Sequence, residues 1–257
     1  MTLAHGGART VALTTELGRH QSVAAFRLGA LARYRVPVWT RTRVSAIHGR
    51  PRVEEVELTD LDGDGTRTVA CDTVVFTADW IPDHELAVTA NLELDPITRG
   101  PAVDAALRTS APGVFAAGNL LHGAEQADVA ALGGRHVAAA VARYLEDGSW
   151  PSPRVPIVCE PPLGWIAPNA VSGAEAPPRD RFALRARDFA SGRASARRLP
   201  AGGSPGGRVR LVQDGRTLWN GRVARLMPGR SSRLPHEWVR NVDPGGGPVV
   251  CALHHPG

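Results

Sequence analysis

The chain contains no lysine. All 30 of its basic residues are arginine, against 25 acidic ones, and the net charge with neutral histidine is +5. With its many Ala, Gly and Pro residues, this looks more like a GC-rich coding bias than a functional choice. A positive balance invites a nucleic-acid reading, but the arginines are scattered. Their densest group, residues 193–198, lies in a Gly/Ala/Ser-rich stretch with no aromatic side chain to stack on a base. No nucleic-acid partner is expected. Long apolar runs are also missing, and the N-terminus has no basic region followed by an apolar stretch, so no membrane partner and a reduced cytoplasmic setting are expected.

Cysteine is scarce. Cys71, Cys159 and Cys251 are far apart, odd in number and never form C-x-x-C, which excludes a vicinal redox dithiol and a ferredoxin-like cluster. Cys71 is expected to be buried as a small apolar side chain. No Ser-His-Asp or G-x-S-x-G arrangement suggests hydrolysis. No metal site is expected either: His254 and His255 are adjacent but lack a third ligand. Residues 60–65 (Asp-Leu-Asp-Gly-Asp-Gly) open like a calcium loop. Their twelfth position is Cys71 rather than the bidentate Glu such a loop needs, so a polar hairpin turn between Leu58 and Val69 is expected.

What the chain does have is the run Thr109-Ser-Ala-Pro-Gly-Val-Phe-Ala-Ala-Gly-Asn119, followed at once by a glycine-interrupted helix. Residues 114–117 read as a short apolar strand of the kind buried on both faces of a parallel sheet. Gly118 lets the backbone turn sharply and approach a ligand, and Asn119 places a short amide where it can bond hydroxyls. The helix predicted over 124–145 points its positive N-terminus back at the same spot, which suits an anion or an electron-rich ring. Ala130, Gly134, Val137, Val141 and Leu145 lie along one side of it. His122 stands beside this spot and is either a proton carrier or a solvent-exposed loop residue.

The run resembles the C-terminal flavin-binding motif of the pyridine nucleotide-disulfide oxidoreductase superfamily, T-x-x-P-G-(V/I)-(F/Y)-A-x-G-D, of the thioredoxin-reductase-like kind. Thr109, Pro112, Gly113, Val114, Phe115, Ala116 and Gly118 match it, and Asn119 replaces the Asp that holds a ribityl hydroxyl. Glu125, Gln126 and Ala127 fall where the family's Arg-Gln-Ala meets the flavin. A second match, Cys71-Asp-Thr-Val-Val-Phe-Thr-Ala-Asp-Trp-Ile-Pro-Asp83, resembles D-x-V-(V/L)-x-A-x-G-x-x-P-N, with Asp79 at the usual glycine and 74–77 as a buried strand. The resemblance covers roughly residues 8–147 and implies an α/β chain: an incomplete, Rossmann-like, three-layer FAD/NAD(P)-binding fold with a β-rich appendage. It implies FAD as cofactor and NAD(P)H as hydride donor, with Gly118, Asn119, Glu125, Gln126 and Ala127 on the cofactor. No catalytic residue is assigned.

The family's opening G-x-G-x-x-G, which grips the pyrophosphate, has no counterpart here; Gly6-Gly7 is too short. Residues 8–80 instead resemble the latter part of the nicotinamide-binding insert. Strands are predicted at 10–15, 36–44 and 53–58, with a helix at 21–34 and Glu16 near the family's ribose-binding acid. The chain therefore looks like the C-terminal portion of a longer flavoprotein. A small-molecule substrate is expected, and so is a partner: a second flavoprotein subunit or the missing N-terminal half. Four regions follow: a partial NAD(P)-binding-type domain over 1–80, the C-terminal part of an FAD-binding domain over 81–149, a proline-rich linker over 150–162 and a small β-rich domain over 163–257. In the last, 208–212 and 217–226 pair around Asp214-Gly215, 238–242 pairs with 249–253, and 174–205 is irregular. Trp165, Trp219 and Trp238 either pack its core or line a binding surface. The alternative to an enzyme is a scaffold that keeps the fold without binding cofactor alone.

Overall fold

The structure, a computed structural model, describes residues 2–19, 24–77, 81–123, 127–188, 207–224 and 226–254. Two compact units divide the chain, Met1–Ala78 building the first, and Asp79–Leu199 with Ser204–Gly257 the second. Residues 193–198 and His255 lie outside the described residues, as does Asp79.

The first unit opens with α1 (Thr2–His5), β1 (Leu13–Thr14), α2 (Ala24–Tyr34) and β2 (Val38–Trp39). β1 and β2 run parallel with α2 as the crossover between them, a short βαβ arrangement of Rossmann type. The start predicted for α2, residues 21–23, lies outside the described residues. β3 (Thr42–His48), β4 (Glu55–Asp60) and β5 (Thr66–Ala70) form an antiparallel meander. Val56 and Leu58 are buried on one face of β4. The turn between β4 and β5 is the polar hairpin expected, closed by the Asp60 N–H donating to Gly65 O at 2.8 Å. Asp60 also accepts the Asp62 N–H at 2.9 Å, so its carboxylate is spent on the turn rather than on a cation. Glu16 is paired with Arg43 at 3.2 Å.

Beyond β5 the structure departs from the sequence reading. Residues 71–77 form no strand, Cys71 is half-buried, and Val75 and Phe76 are 62% and 67% exposed. Apolar content alone suggested a buried strand. A buried parallel strand needs a partner on each side, and the parallel sheet of this unit has only two strands of two residues each.

In the second unit, α3 (Glu85–Thr89) leads to a stretch of turns and isolated bridges, among them Leu94 with Pro101. α4 (Ala127–Asp147) follows, then β6 (Val155–Cys159), β7 (Leu163–Ala167), β8 (Ala170–Val171), β9 (Phe182–Ala186), β10 (Gly207–Gln213), β11 (Arg216–Val223), β12 (Ser232–Leu234) and β13 (Val249–Leu253). One sheet has the order β11-β10-β13-β6-β8, the other β12-β9-β7. Residues of both sheets share one core, with Phe182, Leu184, Val209, Leu211, Leu234, Val249 and Cys251 fully enclosed. The hairpin β10–β11 turns through Asp214 (φ 47°) and Gly215 (φ 79°), the left-handed pair that Asp-Gly favours.

Three readings of this region are corrected. Residues 150–162 are not simply a linker, because β6 within them pairs with both β8 and β13. Val155 and Ile157 point inward while Pro156 and Val158 point out, so the strand alternates beneath its prolines. Pro156 is tolerated where β6 pairs with β8 and not yet with β13. The stretch predicted as irregular contains β9, whose Phe182, Leu184 and Ala186 lie in the core; residues 189–205 of it lie outside the described residues. Glu237–Asn241 is a 3-10 helix rather than a strand, and β13 pairs with β10 and β6 instead. Trp238 is 2% exposed and Trp219 packs against the core, so both are structural.

Two devices fasten residues 102–108 to the β-rich part. The Asn169 side-chain oxygen accepts the Val103 N–H at 2.7 Å, and the N–H groups of Asn169 and Ala170 both donate to Val103 O at 3.1 Å. Arg108, 8% exposed, donates from Nε to Asp104 (1% exposed) at 2.7 Å and from Nη2 to Glu175. Asp104 also accepts the backbone N–H groups of Ala106 and Arg108 at 3.0 Å, and Glu175 is held from outside by Arg143 at 3.0 Å. Removing Asp104 leaves Glu175 as the carboxylate on Arg108 and strips the buried Nε and the N–H groups of Ala106 and Arg108 of their acceptor. Asp104→Ala is therefore expected to lower the unfolding free energy of this unit by about 3–5 kcal/mol, measured by urea titration. A loss within about 0.5 kcal/mol, ordinary for a surface substitution, would contradict the role given to this network.

Candidate cofactor site

The run 109–119 folds as a series of turns clamped to α4. Thr109 is fully buried; its Oγ1 donates to Val114 O at 2.8 Å and accepts the Ala111 N–H at 3.2 Å, closing the loop around Pro112 and Gly113. Gly113 (φ 79°) has Tyr144 against its Cα, where a Cβ would meet the phenol at 3.1 Å. Phe115 meets Tyr144 and Trp150 edge to face at 6.1 and 5.2 Å, so three aromatic rings bind the motif to the last turns of the helix. The strand expected at 114–117 is reduced to an isolated bridge between Phe115 and Arg108, and Val114 is 38% exposed. Side chain and ring contacts here do the positioning that a full ladder does elsewhere.

Gly118 opens a 3-10 turn, Gly118–Leu120, with φ 77°. That conformation is costly for any residue with a Cβ. Gly100 supports the turn from behind: a Cβ there would lie 2.3 Å from the carbonyl oxygens of both Leu120 and Leu121. α4 crosses close to Gly118 at Gly133, whose Cβ position is 3.8 Å from the Gly118 nitrogen. The buried side of α4 thus runs through Gly133, Val137 and Ala140, whereas Gly134 faces open space and Leu145 is 78% exposed. The face predicted through Gly134 and Leu145 is rotated by about one residue, because the close approach to Gly118 selects Gly133.

In front of this turn lies a small cleft of about 60 Å³, lined by Gly118, Asn119, His122, Val129, Ala130 and Gly133 on one side. The other wall comes from the β-rich part: Ala167, Pro168, Pro178, Arg179, Arg181 and Ala183. His122 is 9% exposed and stacks on Trp165, with ring centroids 4.4 Å apart, so it is not the solvent-exposed loop residue of one sequence reading. Asn119 is exposed at the cleft. Ala127 begins α4; Glu125 and Gln126 lie outside the described residues. No pattern in the sequence pointed to Arg179, Arg181 or Pro168, since they lie 49 to 62 residues beyond the motif in a part that resembles no known family. Among the described residues no cluster of His, Cys, Asp or Glu could hold a metal ion, and no helix is long and apolar enough to cross a membrane.

A left-handed glycine, an exposed amide and the first turns of a long helix thus gather at one crevice. Residues 10–134 match the family described as pyridine nucleotide-disulphide oxidoreductase. No curated protein matches the chain. Among solved structures it is similar to thioredoxin reductase from T. acidophilum (24% identity, 55% of this chain and 46% of that one, TM-score 0.45). It is also similar to thioredoxin reductase from Lactococcus lactis (15% identity, 55% and 46%, TM-score 0.48). A third is an FAD-dependent pyridine nucleotide-disulphide oxidoreductase from Desulfovibrio vulgaris (22% identity, 72% and 44%, TM-score 0.44). The chain spans less than half the length of each of these three.

The glycines of the site yield opposite expectations. Gly100→Ala drives a methyl into two backbone oxygens and is expected to lower the melting temperature. Gly134→Ala meets nothing and should stabilise by about 0.5–1 kcal/mol through helix propensity. Thermal unfolding of the two variants side by side checks both; equal shifts would mean that the Gly100 backbone contact does not hold the turn.

Proposed function

We propose that the chain is part of an FAD-dependent oxidoreductase that passes hydride or electrons between NAD(P)H and an acceptor through flavin. The observation that carries this reading is the cleft at Gly118, one wall of which lies inside the stretch that matches the family. The described residues fit the ribityl and ring end of a flavin. Gly118 presents backbone without a Cβ to the cleft.

When bound, flavin supplies the electron chemistry, accepting or giving two electrons as hydride. The chain's own residues hold and tune. The Asn119 amide can both donate to and accept from a ribityl hydroxyl, without the charge of an Asp. Ala127 opens α4, where the helix dipole favours developing negative charge, and Glu125 and Gln126 precede it in the sequence. Arg179 and Arg181 on the opposite wall add positive potential to the same cleft. His122, stacked on Trp165, lines the same cleft.

The pyrophosphate end has no G-x-G-x-x-G in this sequence. That favours a split arrangement, in which a second flavoprotein chain or a preceding segment supplies the phosphate grip. Absorbance of the purified chain separates the readings. Oxidised-flavin bands in the chain alone indicate unaided binding, and bands that arise only with a second chain indicate the split arrangement. No bands under either condition would sink the flavoprotein reading and leave the scaffold. Gly118→Val is expected to lower flavin occupancy at least about tenfold, since strain and a branched side chain both oppose the turn at φ 77°; retained occupancy would place the cofactor elsewhere.

A further inference from the structure

The three cysteines are far apart in sequence, but the fold brings two of them together. β6 and β13 run parallel in a register that sets Cys159 beside Cys251. Partners across a ladder point to the same face, and neighbouring strands lie about 4.8 Å apart, inside the range of roughly 4.4–6.8 Å between Cα atoms that a disulfide requires. Both side chains meet the same core: Cys251 is 0% exposed, and half-buried Cys159 packs against the cluster that contains it. The two thiols are in hydrogen-bonding contact, and that contact together with burial pushes the Cys251 thiol well above its ordinary pKa. Cys159 also lines a second cleft, of about 340 Å³, with Arg154, Gly164 and Trp165. One sulfur is therefore reachable from outside and the other only from its neighbour.

We propose that Cys159 and Cys251 form a reversible dithiol–disulfide couple that exchanges with low-molecular-weight disulfides, Cys159 attacking and Cys251 resolving. The Cys159 thiol loses its proton to solvent, and its sulfur attacks one sulfur of the small disulfide RSSR. The RS–SR bond breaks, and the departing RS⁻ takes up a proton as RSH. Cys251 then loses its proton and attacks the Cys159 sulfur of the mixed disulfide, expelling the second RSH. In sum, RSSR and two protein thiols give one protein disulfide and two RSH. Two electrons pass from the protein to the small disulfide. The order of attack follows from access, because a reagent entering the cleft meets Cys159, whereas Cys251 is enclosed on all sides. The couple stands independently of any flavin at Gly118.

The test uses the full chain carrying Cys71→Ser, so that the only thiols are the two in question. It is equilibrated in glutathione buffers of graded reduced-to-oxidised ratio, quenched in acid, denatured, alkylated and analysed by peptide mass spectrometry. Alkylation of Cys159 and Cys251 should fall together as the buffer becomes oxidising, with a linked peptide pair that dithiothreitol releases. Cys251→Ala in this background should trap glutathione on Cys159 at least about tenfold more than the parent. Cys159→Ala should leave Cys251 unmodified. Should either alanine variant fail to fold by circular dichroism, the titration of the parent decides by itself. Two thiols that stay alkylated across the whole range, or a glutathione adduct that accumulates in the parent without closing, would overturn the proposal.

Discussion

The buried Arg108 is the constraint on which the second unit rests. A guanidinium removed from water at this depth persists only where its charge and its donors are matched. Here Asp104 meets it from its own loop, and Glu175 meets it from the segment after β8. The pair bridges two stretches of chain that have no strand pairing in common. Without it, residues 102–108 would be held against the β-rich part by the bonds between Asn169–Ala170 and Val103 and by Arg154. Arg154 works in the same sense, donating to Ala102 O at 2.8 Å; its burial pulls its pKa down, and Asp104 and Glu93 oppose that.

That fastening has a chemical consequence. Residues 116–121 hang from the loop that Arg108 anchors, through the Ala116 N–H donating to Leu107 O at 3.1 Å. The glycine turn of the candidate site is therefore held in position relative to Pro168, Arg179 and Arg181 on the opposite wall. The β-rich part is not a passive appendage in this arrangement. It supplies half of the crevice and all of the cations described in its lining.

Much of this was legible in local pattern. Asp214-Gly215 dictates its hairpin because few other dipeptides accept two left-handed residues in succession, and the turn after Asp60 follows from an Asp side chain that bonds its own backbone. The run from Thr109 to Asn119 likewise encodes its own turns through Thr109 Oγ1, Gly113 and Gly118. Strands were the weaker inference. Residues 74–77 have the composition of a buried strand and lie exposed, whereas β6 is a paired strand in spite of its proline. Whether an extended segment becomes a strand depends on the neighbours that complete its ladder, and composition does not report them.

The sequence by itself determined the turn chemistry, the long helix and the glycine at which backbone approaches the cleft, because each rests on interactions within a few residues. Only the tertiary structure decided which face of α4 is buried, which arginines wall the crevice and which cysteines meet. Those outcomes depend on contacts between residues 15 to 92 positions apart, such as Gly118 with Gly133 and Cys159 with Cys251, and no local rule of spacing carries across such separations.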